Sequence, residues 1–311
     1  MYKFLKIEPE LYIHIQTLYR ICFHYEVDLK EIALKYDTSL FGCSDIGFLA
    51  FDQNDKPAAY YGVFPMILKY NNEQILVAQS GDTMTAPQHQ KKGLFVQLAG
   101  KTYEYAKKVG IQFVFGFPNE NSFPGFEKKL SWNFFGNMER FDILNRTLPL
   151  CEISSKSILF ESIYYQWVKY KLKNYLIKSM PTTVQNFDVS PAGIERNLNF
   201  FKYKLKVKNV YLITIASFEI MIKIKGHLII GDVAYFNKSE FSEFISIVKA
   251  LGHDLGCRKV VFTMNKNHWL HEYFNEIFVS KTSLPIGFLF LNDQNINPEK
   301  ISFIHSDFDT F

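Results

Sequence analysis

The chain has 311 residues, 35 basic against 31 acidic side chains and a hydrophobic fraction of 48%. That length suits about two domains of roughly 150 residues each, and the apolar content is ample for two cores. A net charge of +4 is too mild for a nucleic-acid-binding protein, and it favours small anionic ligands only slightly. The four cysteines, Cys22, Cys43, Cys151 and Cys257, lie far apart, without CxxC or Cys/His spacing. They predict reduced thiols and no metal site. The residues from Met1 to Pro9 carry charges too early for a signal peptide. No uncharged apolar window reaches the 18 residues of a membrane span, so the expectation is a cytoplasmic protein.

In chain order, residues 46–51, 58–70 and 74–85 read as antiparallel strands joined by turns at 52–57 and 71–73. The third strand breaks at Pro87, and a basic, glycine-marked turn opens into a helix. Leu94, Phe95, Leu98, Ala99, Tyr105, Ala106 and Val109 recur at three- and four-residue spacings. Gln97, Lys101, Glu104, Lys107 and Lys108 take the other side, and Gly110 is the stop. This turn aims free backbone N–H groups, the positive end of a helix dipole, Lys91 and Lys92 at one spot. It predicts a place to hold a pyrophosphate. Next come a strand at 112–116, a second helix from Pro118 through Leu130 and a strand beginning near Trp132.

Residues 158–180 interleave Tyr164, Tyr165, Trp167, Tyr170 and Tyr175 with lysines and read as a helix closed by Pro181, with a polar connector through Pro191. A membrane-surface or glycan-facing element is one reading. The plainer reading is an inter-lobe helix that buries its aromatics and leaves its lysines in water.

From about Ile194 the order repeats. Strands are expected at 210–215, 218–225 and 227–234, a helix at 241–251, a strand at 259–264, a short helix at 268–277 and a closing strand at 284–291. Gly81-Asp82 and Gly231-Asp232 end equivalent strands, so the chain reads as two lobes of one topology. The second turn has no glycine before its helix and carries Glu240 in the first turn, which would repel a phosphate. One anion site, in the first lobe, is the consequence.

The turn from Gln90 to Gly93 resembles the Arg/Gln-x-x-Gly-x-Gly/Ala turn with which the GNAT N-acetyltransferase superfamily holds the pyrophosphate of acetyl-CoA. Phe95 stands where that family usually has Gly or Ala. The exit Leu130-Ser131-Trp132 looks like the family's Leu-Gly-Phe helix end, and the resemblance covers roughly residues 1 to 145. The run from Ser80 to Trp132 looks more narrowly like the GNAT branch found among bacterial polysaccharide-synthesis proteins. The implied fold class is α/β (α+β): a mixed, mostly antiparallel sheet with flanking helices, in two lobes. Residues 1–145 form the implied acyl-CoA-binding lobe, 146–192 a helical connector and 193–311 a degenerate second lobe.

The resemblance implies an acetyl-CoA-dependent N-acyltransferase acting on an amine, such as an amino sugar of a surface-polysaccharide precursor. No metal, no nucleic-acid partner and no transmembrane segment are expected, and peripheral membrane contact is disfavoured. The main chain at Thr83, Met84 and Thr85 is the implied donor to the thioester carbonyl. Gln90, Lys91, Lys92, Gly93 and Leu94 are implied for the pyrophosphate, with Phe95 either blocking close approach or turning inward and leaving its N–H available. Asn119 and Asn121 either contact the pantetheine arm or cap a helix, with Ser122 as another N-cap. For the general base, Asp82 competes with a turn-capping reading, His89 with a solvent-facing one, and Glu139 is a third choice. The family's leaving-group Tyr is missing near Phe126, which leaves Glu127, or solvent, to protonate the thiolate. Tyr103 and Tyr105 are read as packing, and Phe311 either as an active-cleft carboxylate or as a frayed tail. A degenerate, non-catalytic binding protein is the alternative function. Aminoacyl transfer from tRNA is a third, disfavoured by the dispersed lysines.

Overall fold

The computed structural model describes residues 1–154, 156, 158–177, 186–292 and 295–311. It divides into two units, Met1–Gly136 with Leu284–Glu299, and Asn137–Ser283 with Lys300–Phe311.

The first unit contains β1 (Lys3–Lys6), α1 (Tyr12–Phe23), α2 (Leu29–Tyr36), β2 (Ile46–Phe51), β3 (Pro57–Tyr70), β4 (Glu73–Thr85), α3 (Leu94–Lys108), β5 (Phe113–Gly116) and α4 (Phe123–Leu130). It also holds the start of β6 (Asn133–Leu144). Strands β1 to β4 pair antiparallel in sequence order, whereas β4 and β5 run parallel. Side chains alternate across a strand, and here the two faces feed separate cores. Leu49, Phe51, Tyr60, Phe64 and Met84 pack under α1 and α2 with Ile15, Leu18 and Ile32. On the other face Ala50, Tyr61, Val63, Ala78 and Val114 pack under α3 and α4 with Leu94, Leu98, Ala106 and Phe126. Full burial of one such aliphatic side chain contributes about 1.5–3 kcal/mol. Each end of α3 follows from its sequence. Gly93 enters at φ +75°, and Gly110 leaves at φ +93°, conformations that cost glycine nothing. Asp28 caps α2 by accepting from the Lys30 N–H at 2.8 Å.

The second unit contains α5 (Leu150–Ser154), α6 (Ile158–Leu172), β7 (Ala192–Ile194), α7 (Leu198–Lys204), β8 (Val210–Ile215), β9 (Phe218–Ile224), β10 (Leu228–Val233), α8 (Phe241–Asp254), β11 (Lys259–Met264) and α9 (Trp269–Asn275). The last strand is β12 (Lys281–Phe290). Strands β8, β9 and β10 pair antiparallel, β10 and β11 parallel, and Glu139–Leu144 of β6 antiparallel to β11. The sheet packs on Phe244, Val248, Leu251, Leu270 and Phe274 of α8 and α9, and on Tyr164, Tyr165, Val168 and Leu172 of α6.

Strand–turn–helix–strand–helix–strand therefore occurs twice, and the mixed, mostly antiparallel sheet with flanking helices is as expected. The closing strands differ from expectation. The sequence pattern puts residues 284–291 in the second lobe, yet Gly287–Phe290 pair with β5 of the first unit, while most of β6 serves the second. The expected limits at 145/146 and 192/193 therefore do not coincide with the two units. The physical reason is that β6 and β12 hold equivalent places, both are rich in apolar residues, and a hydrophobic pattern specifies a face but not a sheet. In the 158–180 region the helix ends at Leu172, and Met180 and Pro181 lie outside the described residues. The helices α1, α2, α5 and α7 and the strands β1 and β7 are not among the elements expected from the sequence.

Candidate active site

The strand leading to the basic turn carries a bulge. Tyr60 pairs with Met84 and Gly62 with Gly81, so Tyr61 alone faces both Asp82 and Thr83, and Asp82 sits at φ +49°. On its other side β4 is paired with β5 only at Ala78 and Gln79. From Ser80 to Thr85, β4 continues beyond that ladder, past the last residue of β5, Gly116. Thr83 and Thr85 are half-buried there, while the Met84 side chain is buried among α1 and α2.

The end of β4 leads to the turn. Ala86 N–H bonds to Ala58 O at 2.9 Å, and Pro87–His89 form one 3-10 turn. Lys91 (φ +58°) and Gly93 then take left-handed conformations. For Lys91 this costs roughly 1–2 kcal/mol, a strain of the kind that gathers at functional sites. No side chain caps α3, and its first internal bond is Gln97 N–H to Gly93 O at 3.2 Å. The N–H groups of Leu94, Phe95 and Val96 therefore point out of the helix end. Gln90, Lys91, Lys92 and Gly93 are exposed, and neither lysine has an ion-pair partner among the described residues. Unspent donors, the dipole and two free ammonium groups make this end suited to a pyrophosphate.

Phe95 does not intrude. Its ring turns inward against Phe126 at 5.3 Å and Tyr61 at 5.8 Å, and lies over Gly125, where a Cβ would come within 3.0 Å of it. Asn119 is a cap: its Oδ1 accepts from Asn121 N–H and Ser122 N–H, each at 3.1 Å, ahead of α4. Ser122, also named as a cap, makes no side-chain capping bond. Asn121 is exposed beside it.

The catalytic candidates are dispersed. Asp82 is nearly buried and accepts from Tyr19 OH at 2.5 Å, Lys35 Nζ at 2.7 Å and Tyr36 OH at 2.9 Å. It ties α1 and α2 to the bulge by an ion pair and two phenols, which differs from the turn cap expected of a Gly-Asp pair. His89 does not face solvent. The 3-10 turn folds its ring back, where Nδ1 meets Tyr2 OH at 2.9 Å and Nε2 lies 3.7 Å from Asp52. Backbone N–H bonds from Lys56 and Asn54 hold the Asp52 carboxyl below its ordinary range. Glu127 is exposed on α4. Glu139 belongs to the second unit, 3.0 Å from His271 Nε2. Burial would raise its carboxyl, but bonds from His271 and Ser280 hold it lower. Phe311 is not frayed, and its ring is buried against Gly231 in the second unit.

One feature is invisible to sequence reading. Ser80 Oγ, Tyr61 OH and Tyr103 OH form a chain of bonds at 2.8 and 2.7 Å, closed by Trp132 Nε1–H to Tyr103 OH at 3.1 Å. Burial pushes both phenols well up, so they stay protonated. Tyr103 falls on the apolar side of α3, where helical spacing reads it as packing, and only the fold brings Tyr61 and Ser80 to it. The chain begins at Ser80, where β4 leaves β5.

Residues 6–134 match the family model described as an acetyltransferase (GNAT) domain, and no curated protein matches the sequence. Among solved structures, the fold is similar to a GCN5-related N-acetyltransferase from Kribbella flavida, with 10% identity, TM-score 0.60, and 94% of this chain and 72% of that chain covered. Saccharomyces cerevisiae N-myristoyltransferase with bound myristoyl-CoA shares 10% identity at TM-score 0.55, over 96% of this chain and 86% of that one. A glucosamine N-acetyltransferase region of a fungal multi-domain β-N-acetylglucosaminidase shares 11% at TM-score 0.56, over 93% of this chain and 38% of that one. At such identities the structures are alike in fold alone. The match over 6–134 shows that this chain carries a GNAT acetyltransferase domain, and the solved structures show that the fold of the chain is of that kind.

Proposed function

We propose that this protein transfers an acetyl group from acetyl-CoA to the amine of an amino sugar, in the first unit. The observation that carries the reading is the uncapped start of α3, with Gly93 and two lysines that have no ion-pair partner among the described residues, where β4 runs past its ladder with β5. The N–H groups of Leu94 and Phe95, with Lys91 and Lys92, bind the pyrophosphate. Main-chain N–H groups of 83–85 polarise the thioester carbonyl, a contribution of about 3–4 kcal/mol for one well-placed donor. The amine nitrogen bonds to the acyl carbon, the C–S bond breaks, the amine gives up a proton and the thiolate takes one.

Asp82 is the proposed base, and its three donors make it a positioned carboxylate that must exchange one of them to receive a proton. Glu127 is too exposed to be a strong choice of acid, and a thiol of pKa ~8.5 leaves readily near neutral pH with solvent as its proton source. An amino-sugar acceptor rests on the sequence resemblance to polysaccharide-synthesis proteins and on the glucosamine N-acetyltransferase region of similar fold.

The test is thiol release from acetyl-CoA with a panel of amines. Turnover on glucosamine-type acceptors, exceeding that on polyamines and peptide amines, is expected. Turnover confined to the other amines would remove the acceptor proposed here. A non-catalytic acyl-CoA binder is the second reading, favoured by the full engagement of Asp82. CoA binding without thiol release from any amine would select it.

A further inference from the structure

The helix α6 has three faces. Tyr164, Tyr165, Val168 and Leu172 enter the second unit's core. Leu159, Ile163 and Tyr170, spaced by four and seven residues, form a stripe on another side with Phe160 adjoining. These four are 71, 59, 64 and 58% exposed, respectively. Helices that rest on a protein core bury one stripe and solvate the rest, so an apolar second stripe is unexplained by folding. The plainer sequence reading of this helix, with its aromatics inside and only lysines in water, holds for the buried stripe and fails for this one.

Charge says what fits there. Lys169, Lys171 and Lys173 are all exposed at the C-terminal end of the stripe. Lys171 lies over Trp167 at 5.6 Å and Lys173 over Tyr170 at 4.4 Å, so the ammonium groups frame the aromatic rings. The helix holds a single carboxylate, Glu161, and Lys208 lies 3.4 Å from it. Apolar and aromatic side chains bordered by lysines, with no free acid, complement the boundary of an anionic lipid layer. Among the described residues no helix is long and apolar enough to cross a membrane, so such contact is peripheral and reversible.

We infer that the outer stripe of α6 docks this protein on an anionic lipid surface, with Leu159, Phe160 and Ile163 in the acyl boundary and the lysines among the headgroups. This goes beyond the acyl-transfer reading and does not depend on it.

The test is co-sedimentation of the full chain with phosphatidylcholine vesicles, with and without phosphatidylglycerol. Binding is expected only to the anionic vesicles, weakening as salt is raised. The double substitution Phe160→Asp with Ile163→Asp should weaken binding roughly tenfold or more, with its unfolding temperature unchanged because both side chains are exposed. Lys171→Glu with Lys173→Glu, also at exposed positions, should weaken it on the order of fivefold per lysine. Absence of sedimentation, equal binding to neutral vesicles, or undiminished binding by both variants would overturn the inference. A concentration-dependent dimer abolished by the Phe160 and Ile163 substitutions would overturn it as well, because the stripe would then be a contact between two copies of this chain.

Discussion

In the first unit, β4 carries Gly81-Asp82 past the end of its pairing with β5 and into a turn that leaves α3 uncapped. In the second, β10 carries Gly231-Asp232 past the end of its pairing with β11, and the chain's own residues fill the space beyond. Asn265 N–H bonds to Phe303 O at 3.0 Å, Ile304 bridges to Met264, and the Phe311 ring lies so close to Gly231 that a Cβ would be 1.9 Å from it. Asp232 binds Arg196, which also holds Asp307 at 2.7 Å, and Ser306 donates to Asp232 at 3.0 Å. The 3-10 turn Lys238–Glu240 that leads into α8 is closed by a capping box, in which Asn237 N–H donates to Glu240 at 2.9 Å and the Asn237 side chain accepts from the Glu240 N–H. The same plan is receptive where its donors are unspent and closed where the chain spends them. In both units the repeated aspartate is an ion-pair anchor, to Lys35 in one and Arg196 in the other.

Substitutions can break each half of this comparison. The largest effect is expected for Phe311→Ala, which empties a packed site in the second unit and should cost about 3–5 kcal/mol in urea unfolding. Gly231→Ala should cost about 1–3 kcal/mol or more through collision with that ring. The two together should cost less than their sum, because removing the ring removes the collision. Strict additivity would mean that the ring does not press on Gly231.

In the first unit, Gly93→Glu should weaken CoA on the order of 100-fold, by adding negative charge and strain at an exposed turn. Gly93→Asn, which tolerates the left-handed conformation, should retain most of the affinity. Lys91→Ala and Lys92→Ala should each weaken CoA severalfold, with the loss shrinking at high salt.

Acid should act on the second unit. Burial pushes His268 and His305 down to about 3 from an ordinary 6.5. The unfolded chain then binds more protons than the folded one between those values, so stability falls as pH falls through that window. Acidification from about pH 7 to about 5.5 should cost on the order of 1 kcal/mol per histidine. His268 Nδ1 accepts from the Leu270 N–H at the start of α9, so His268→Asn should keep a cap and remove its share of the slope. A pH-independent stability across that range would contradict the burial of both rings.

Much of this is legible in the sequence because it is local. The period of Leu94, Leu98 and Ala106, the stop at Gly110 and the strands 210–215 and 259–264 each follow from neighbours a few residues apart. So does the contrast between Gly93 and Glu240, since a turn's glycine and a helix's first carboxylate act where they stand. The features that stay hidden depend on distant pairing. The Ser80–Tyr61–Tyr103–Trp132 chain joins three elements, β4, β3 and α3, to the connector before β6, and only their pairing brings these residues together. Asp82 reads as a base or a cap until α1 and α2 deliver Tyr19, Lys35 and Tyr36 to it. The exchange of closing strands between units is silent in a hydrophobic pattern that either sheet satisfies.

The most direct test of the central claim is calorimetric titration of the intact protein with CoA, alongside Gly93→Glu. One molecule bound per chain, lost in the variant, is the predicted result. Two bound per chain, or affinity unchanged in Gly93→Glu, would contradict a single receptive turn at the start of α3.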